Sequence, residues 1–138
     1  MLTLLTIHSI VRWLTVLAAL GAIIKLTLGL LKKQDYDKMT GGLVSAFGGL
    51  MDTQLLLGLM FFLWNGLAGA GFPRQRWEHF SIMLVAVIVA HLPAMWKKAE
   101  PQKRLRNTLL AVAGSLVLVV LGVSLLQPNR WLTIFGLF

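Results

Sequence analysis

His8 and Arg12 stand four residues apart inside LLTIHSIVRWLTVLAALGAIIKLTLGLL, an apolar run that begins at Leu4. On a helix that spacing puts both side chains on one face. An arginine in so apolar a segment needs a partner, a cavity or an interface to face. A second polar group, Glu78 and His79, lies within RQRWEHFSIM. A third comprises Asp52 and Gln54, with His91 further on, just before Pro93. Imidazole, carboxylate and guanidinium are the groups that ligate iron, pair with anionic substituents or pass protons. The chain has no cysteine, which removes disulfides, iron–sulfur clusters and thiolate zinc sites. It also has no P-loop and no dinucleotide fingerprint, so nothing supports a hydrolase or a nucleotide enzyme.

The elements that carry these residues follow from composition. The chain of 138 residues is 57% hydrophobic and only 13% charged, against roughly 25% charged in an ordinary soluble domain. Its mean hydropathy is +0.78. Such a chain lacks the polar surface to cover a soluble globule, and an integral membrane protein is expected. The formal net charge is +8. The charges sit in short gaps between apolar runs, with no basic stripe interleaved with aromatics, so they read as topology signals rather than as a nucleic-acid surface.

Apolar runs fall near residues 3–31, 43–68, 77–96 and 107–126. A bilayer core of ~30 Å needs ~20 helical residues, and each run reaches that length. The gaps are short and turn-rich, which makes successive helices antiparallel neighbours. The expected fold is a single all-α domain, a four-helix transmembrane up-down bundle. Lys32, Lys33, Lys38, Lys97, Lys98, Lys103, Arg104 and Arg106 share one side, whereas Arg74, Arg76 and Arg130 lie on the other. The lysine-rich side is expected in the cytoplasm, with N-terminus and C-terminus both outside. No removable signal peptide is expected. The tail over 128–138 is too short to span. Its Trp131, Phe135 and Phe138 are expected in the outer interface or docked on a partner.

Antiparallel threading brings His8 and Arg12 of the first span to the depth of Glu78 and His79 of the third. Glu78 is the candidate counter-ion for Arg12. Two readings stand. In one, Arg12 reaches outer headgroups and the histidines are interfacial hydrogen bonders. In the other, His8 and His79 are the axial ligands of one haem b, as helical bundles allow. Arg12, Arg74 or Arg76 would then take the propionates, and Trp13 and Trp77 would wall the ring.

Deeper, Asp52 and His91 are expected to form a buried pair, either as a proton-relay element or as an interhelical hydrogen bond. Gln54 lies roughly 200° around the helix from Asp52 and should contact another helix. Pro93 should free the carbonyl of Val89 and kink the inner end of the third span. His79 and His91 are separated by roughly 18 Å of helical rise and cannot share one metal ion. The stripe Gly41, Ser45 and Gly49, the pair Gly48 and Asp52, and more weakly Ala111 and Ser115, are expected to be helix-packing surfaces.

The segments HSIVRW, QLLLGL and RWEHFSIM, in that order over four spans, resemble small bacterial four-helix membrane proteins labelled cytochrome b-like. The resemblance reaches through the fourth span. It implies a haem-associated or respiratory-chain role, with His8, Arg12, Gln54, Glu78 and His79 on the matching positions. Those proteins commonly carry a histidine two residues before the glutamine, where this chain has Asp52, a poor haem ligand.

The leading expectation is therefore a b-type haem-binding membrane protein in electron transfer, an accessory or electron-transfer subunit rather than an enzyme. It would lie in the bacterial cytoplasmic membrane, with other membrane subunits, a second copy or a quinone as partners. The alternatives are a cofactor-free structural subunit of a respiratory or photosynthetic complex, and a small proton-conducting protein using Asp52 and His91.

Overall fold

The computed structural model describes residues 2–126 together with Arg130 and Trp131. Four long helices account for most of it: α1 Leu2–Leu31, α2 Lys38–Asn65, α3 Arg74–His91 and α4 Pro101–Ser124. A π-helical turn, Gly66–Ala70, extends α2, and a 3-10 turn, Leu92–Trp96, extends α3. No strand occurs among the described residues. All four helical segments are long and apolar enough to cross a membrane. In lipid the backbone must satisfy its own polar groups, and the helix is the way a single segment does so.

Helices adjacent in the ring α1–α2–α3–α4 pack together, and α4 closes back onto α1. This makes α1 and α3 diagonal. The interior is built from small and medium side chains, among them Ala19, Ala22, Phe47, Ala86, Leu105 and Val112. The outward faces are equally apolar, with Leu17, Ile24, Leu110 and Val117 all more than half exposed. A multi-pass membrane protein has this distribution, because lipid rather than water meets the outside.

The helices start earlier than the apolar runs that predict them. Asp37 caps α2, accepting from the Thr40 backbone N–H at 2.8 Å and from the Thr40 hydroxyl at 2.7 Å. Lys25 of α1 adds an ion pair to Asp37 at 3.0 Å. Polar caps and a first turn outside the apolar stretch therefore carry α2 back to Lys38. Pro101 opens α4 without a side-chain cap, at a position where its missing N–H costs nothing.

Pro93 acts differently from the expectation. The α-helix ends at His91, and the Leu92 N–H donates to the Val89 carbonyl. The chain tightens into a 3-10 turn, so the carbonyl that proline would orphan is taken up locally. At the other end of the bundle the Phe72 ring lies directly against Gly66, where no larger residue has room.

The small residues of α4 do pack against a neighbour. Ala111 and Ser115 are buried, and the Ser115 hydroxyl donates to the Ala86 carbonyl of α3 at 2.8 Å. The stripe Gly41, Ser45 and Gly49 does not serve as a packing seam along its length. Ser45 and Gly49 are exposed, and a Cβ at Gly49 would meet nothing within 4 Å.

Candidate functional site

The end of the bundle away from the lysines holds a cavity of about 260 Å³. Its polar wall is His8 and Arg12 from α1, Gln54 from α2 and Arg76 and His79 from α3, with Arg130 from the tail. Its apolar wall includes Phe61, Phe62, Phe80, Met51, Met83 and Val119. Antiparallel threading accounts for the convergence. The start of α1, the second half of α2, the start of α3 and the end of α4 all meet at this end.

His79 is held by α4. Its Nδ1 lies 2.8 Å from the Gly122 carbonyl oxygen. A carbonyl only accepts, so Nδ1 carries the proton, and in the neutral ring Nε2 carries the lone pair. A ring anchored in this way is ready to coordinate a metal through Nε2. Gly122 permits the approach, because a Cβ there would meet the end of the Met83 side chain and would lie 3.2 Å from Ile82.

His8 is held by α2. Its Nε2 lies 3.1 Å from Gln54 Nε2. An amide nitrogen only donates, so His8 Nε2 accepts in this orientation and Nδ1 is protonated. His8 Nδ1 and Gln54 Oε1 are then both buried without a hydrogen-bond partner. Turning the amide over would satisfy Oε1 instead and still leave Nδ1 alone. Orphaned polar atoms in a cavity wall are unusual and mark a place where a ligand completes the bonding. Gly58 makes room for this imidazole, since a Cβ there would approach His8 Cε1 to 3.2 Å.

Arg12 is 5% exposed. One Nη donates to the Trp131 carbonyl at 3.3 Å. Its guanidinium also lies over the Trp131 ring at 5.5 Å and the Trp13 ring at 5.9 Å. The two indoles meet edge to face at 5.8 Å, and the Trp131 N–H donates to the Ser124 hydroxyl at 3.3 Å. The tail at Trp131 thus docks on its own bundle. Phe135 and Phe138 lie outside the described residues.

Several expected partners are placed elsewhere. Glu78 is not the counter-ion of Arg12. Its carboxylate bonds Arg74 Nε at 2.6 Å, one turn back on the same helix. The i, i+4 spacing within α3 brings that pair together at the exposed helix start, where water stabilises both charges. Neither Glu78, Arg74, Trp13 nor Trp77 lines the cavity. Trp77 instead joins an aromatic cluster with Phe62 and Phe72. Gln54 does contact another helix, and its partner is His8. Arg130 joins the cavity from the tail, a placement that no spacing in the sequence could reveal.

Asp52 and His91 meet, with Oδ1 and Nε2 2.7 Å apart. They are not buried, as their side chains are 55% and 52% exposed. They face away from the cavity, because α2 presents Asp52 and Gln54 on nearly opposite faces. No group of three or more histidine, aspartate or glutamate side chains suited to a metal ion occurs among the described residues.

The chain matches no protein-family model, no curated protein and no solved structure. The reading of the cavity rests on its own residues.

Proposed function

We propose that the protein is a b-type haem-binding membrane protein working in electron transfer, in the cytoplasmic membrane of a bacterium with its lysine-rich end inward. One observation carries the reading: imidazoles from the diagonally opposed helices α1 and α3 line one cavity that also holds a buried arginine. Two histidines from facing helices would hold one haem iron. The donor set fits. His79 is oriented by Gly122 and offers Nε2, while His8 would offer its buried Nδ1 with the Gln54 amide turned so that Gln54 Oε1 accepts from the His8 Nε2–H.

Haem, when bound, would supply one-electron redox chemistry. The protein's own residues do the rest. His79 and His8 would hold the iron. Gln54 and the Gly122 carbonyl fix the ring planes, and such outer partners tune ligand basicity. Arg12, Arg76 and Arg130 offer cations to the two carboxylates. Phe61, Phe62 and Phe80 exclude water. The positions that carry the resemblance to cytochrome b-like proteins, Glu78 excepted, are those gathered on this cavity. Asp52, where those proteins commonly have histidine, lies off it, so that difference leaves the His8 and His79 pair untouched.

The test is a reduced-minus-oxidised absorption spectrum of protein expressed with ample haem. A low-spin b-type spectrum is expected, lost in both His8→Ala and His79→Ala. A colourless, folded wild type would end the haem reading and leave a cofactor-free subunit of a larger membrane complex.

A further inference from the structure

A second recess lies at the lysine-rich end, on the face shared by α2, the 3-10 turn and the start of α4. It is an open cleft of about 400 Å³. The helices differ in length where they flank it. α2 runs 28 residues and α3 only 18, ~42 Å against ~27 Å of rise. Past His91 the chain tightens into the 3-10 turn, which packs on α4, so on this side the first half of α2 has no α3 beside it. Ser45 and Gly49 are exposed there, with Gly41 beside the Tyr36 ring and Gly48 buried under His91. Side chains at Gly42 and Gly49 would meet nothing within 4 Å. A small-residue strip without a helix on it is a shallow lane open to lipid.

The head of this lane is basic. Lys97, Arg104 and Tyr36 line it, and the His91–Asp52 pair lines the deeper end of the cleft. Arg104 is pre-positioned, its guanidinium stacked on the Tyr36 ring at 3.6 Å, and its Nε is buried without a hydrogen-bond partner. The carboxylate in the cleft, Asp52, is already engaged by His91. Lys97 and Arg104 therefore leave an excess of positive charge where headgroups lie. Basic pockets between transmembrane helices at the cytoplasmic side are where anionic lipid headgroups bind, and a guanidinium held in plane recognises phosphate through paired N–H donors.

We infer that this cleft is a binding site for one anionic phospholipid, its phosphate on Arg104 and Lys97 and an acyl chain along the Gly41–Ser45–Gly49 lane. The site is independent of the haem reading, since it shares no residue with the cavity.

Thermal unfolding in a neutral detergent, titrated with dioctanoyl phosphatidylglycerol, dioctanoyl phosphatidylcholine or inorganic phosphate, tests it. Ligand that binds only the folded state raises the midpoint. Phosphatidylglycerol should give a saturable rise that phosphatidylcholine and inorganic phosphate do not. The double variant Lys97→Gln, Arg104→Gln should weaken the apparent affinity by roughly tenfold or more. Lys32→Gln with Lys33→Gln, which removes equal charge at the same end, should leave it within a factor of about two. Gly49→Leu fills the lane where a Cβ has open space, so the fold should hold while phosphatidylglycerol binding is lost. That variant decides the matter if Arg104→Gln fails to fold. Equal responses to both lipids, an equal response to inorganic phosphate, equal losses in the two lysine and arginine pairs, or full binding by Gly49→Leu would each overturn the assignment.

Discussion

Gln54 holds His8 across the α1–α2 interface, nitrogen to nitrogen at 3.1 Å, and leaves its own carbonyl oxygen buried without a partner. The pair orients an imidazole toward the cavity at some cost, since the amide is only half satisfied. Gln54→Leu removes the hydrogen bond but also removes the orphaned oxygen. The two effects offset in part, and the expected net loss is about 1 kcal/mol rather than the ~1–3 kcal/mol of an uncompensated buried group. Unfolding in mixed detergent micelles measures it. A loss above ~3 kcal/mol would show that the carbonyl oxygen has a partner after all.

Gly122 governs His79 through its carbonyl and through its missing side chain. A Cβ there would meet Met83 Cε, the movable end of a flexible chain, so Gly122→Ala should be tolerated with a small loss. Gly122→Val adds bulk toward Ile82 as well and should cost ~1–3 kcal/mol by overpacking. The carbonyl would move with the helix, so the valine variant should also disturb the His79 ring. A nitrogen NMR signal of His79 that is unchanged between wild type and Gly122→Val would contradict this coupling.

Asp37 predicts a pH dependence at the α1–α2 turn. Hydrogen bonds from the Thr40 N–H and hydroxyl, with Lys25 alongside, lower its carboxyl to about 2. A carboxyl lowered in the folded state adds stability that is complete above its unfolded value of roughly 3.9 and is lost as pH falls toward 2. Thermal stability of the wild type should therefore drop between pH 5 and pH 2 more steeply than that of Asp37→Ala. Parallel curves would mean that the cap and the lysine contribute nothing to this dependence.

The Asp52–His91 contact is half exposed, which limits its worth. Exposed ion pairs contribute ~0.2–1 kcal/mol and are screened by salt. A double-mutant cycle of Asp52→Asn and His91→Gln should fall in that range. Coupling well above ~1 kcal/mol would indicate that lipid, rather than water, surrounds the pair.

The bundle was legible because four long apolar runs and short polar gaps leave few alternatives. The shared depth of His8, Arg12 and His79 was legible for the same reason, as antiparallel threading converts residue number into depth. Facing was not. Glu78 lies at the right depth and on the right helix, yet Arg74 one turn away takes it, and nothing in the residue order separates those outcomes. Asp52 and His91 were paired correctly from depth alone. Their exposure depended on which way the two side chains face, which depth does not give. The Arg12 partner was hidden because Trp131 reaches it from 119 positions away through a tail that carries no periodic pattern.

That contact explains why an arginine sits in the first span. Arg12 is buried near the Trp13 and Trp131 rings and donates to the Trp131 carbonyl, so it ties Trp131 to the first span. A charged hydrogen bond contributes ~1.5–3 kcal/mol and a desolvated cation–π contact up to ~2 kcal/mol. Arg12→Ala should cost ~2–4 kcal/mol on that basis, more than His8→Ala or His79→Ala in haem-free protein. Arg12→Lys should recover less than half of the loss, because an ammonium cannot lie flat between two indoles while reaching the carbonyl. Trypsin should cut after Arg130 faster in Arg12→Ala than in the wild type, as the tail loses its anchor. If haem is present, the alanine variant should keep both imidazole ligands and the low-spin spectrum but lose haem more readily. An Arg12→Ala protein with wild-type stability and an equally protected Arg130 would show that the arginine has no structural task at the tail, leaving the cavity as the only reason for its place.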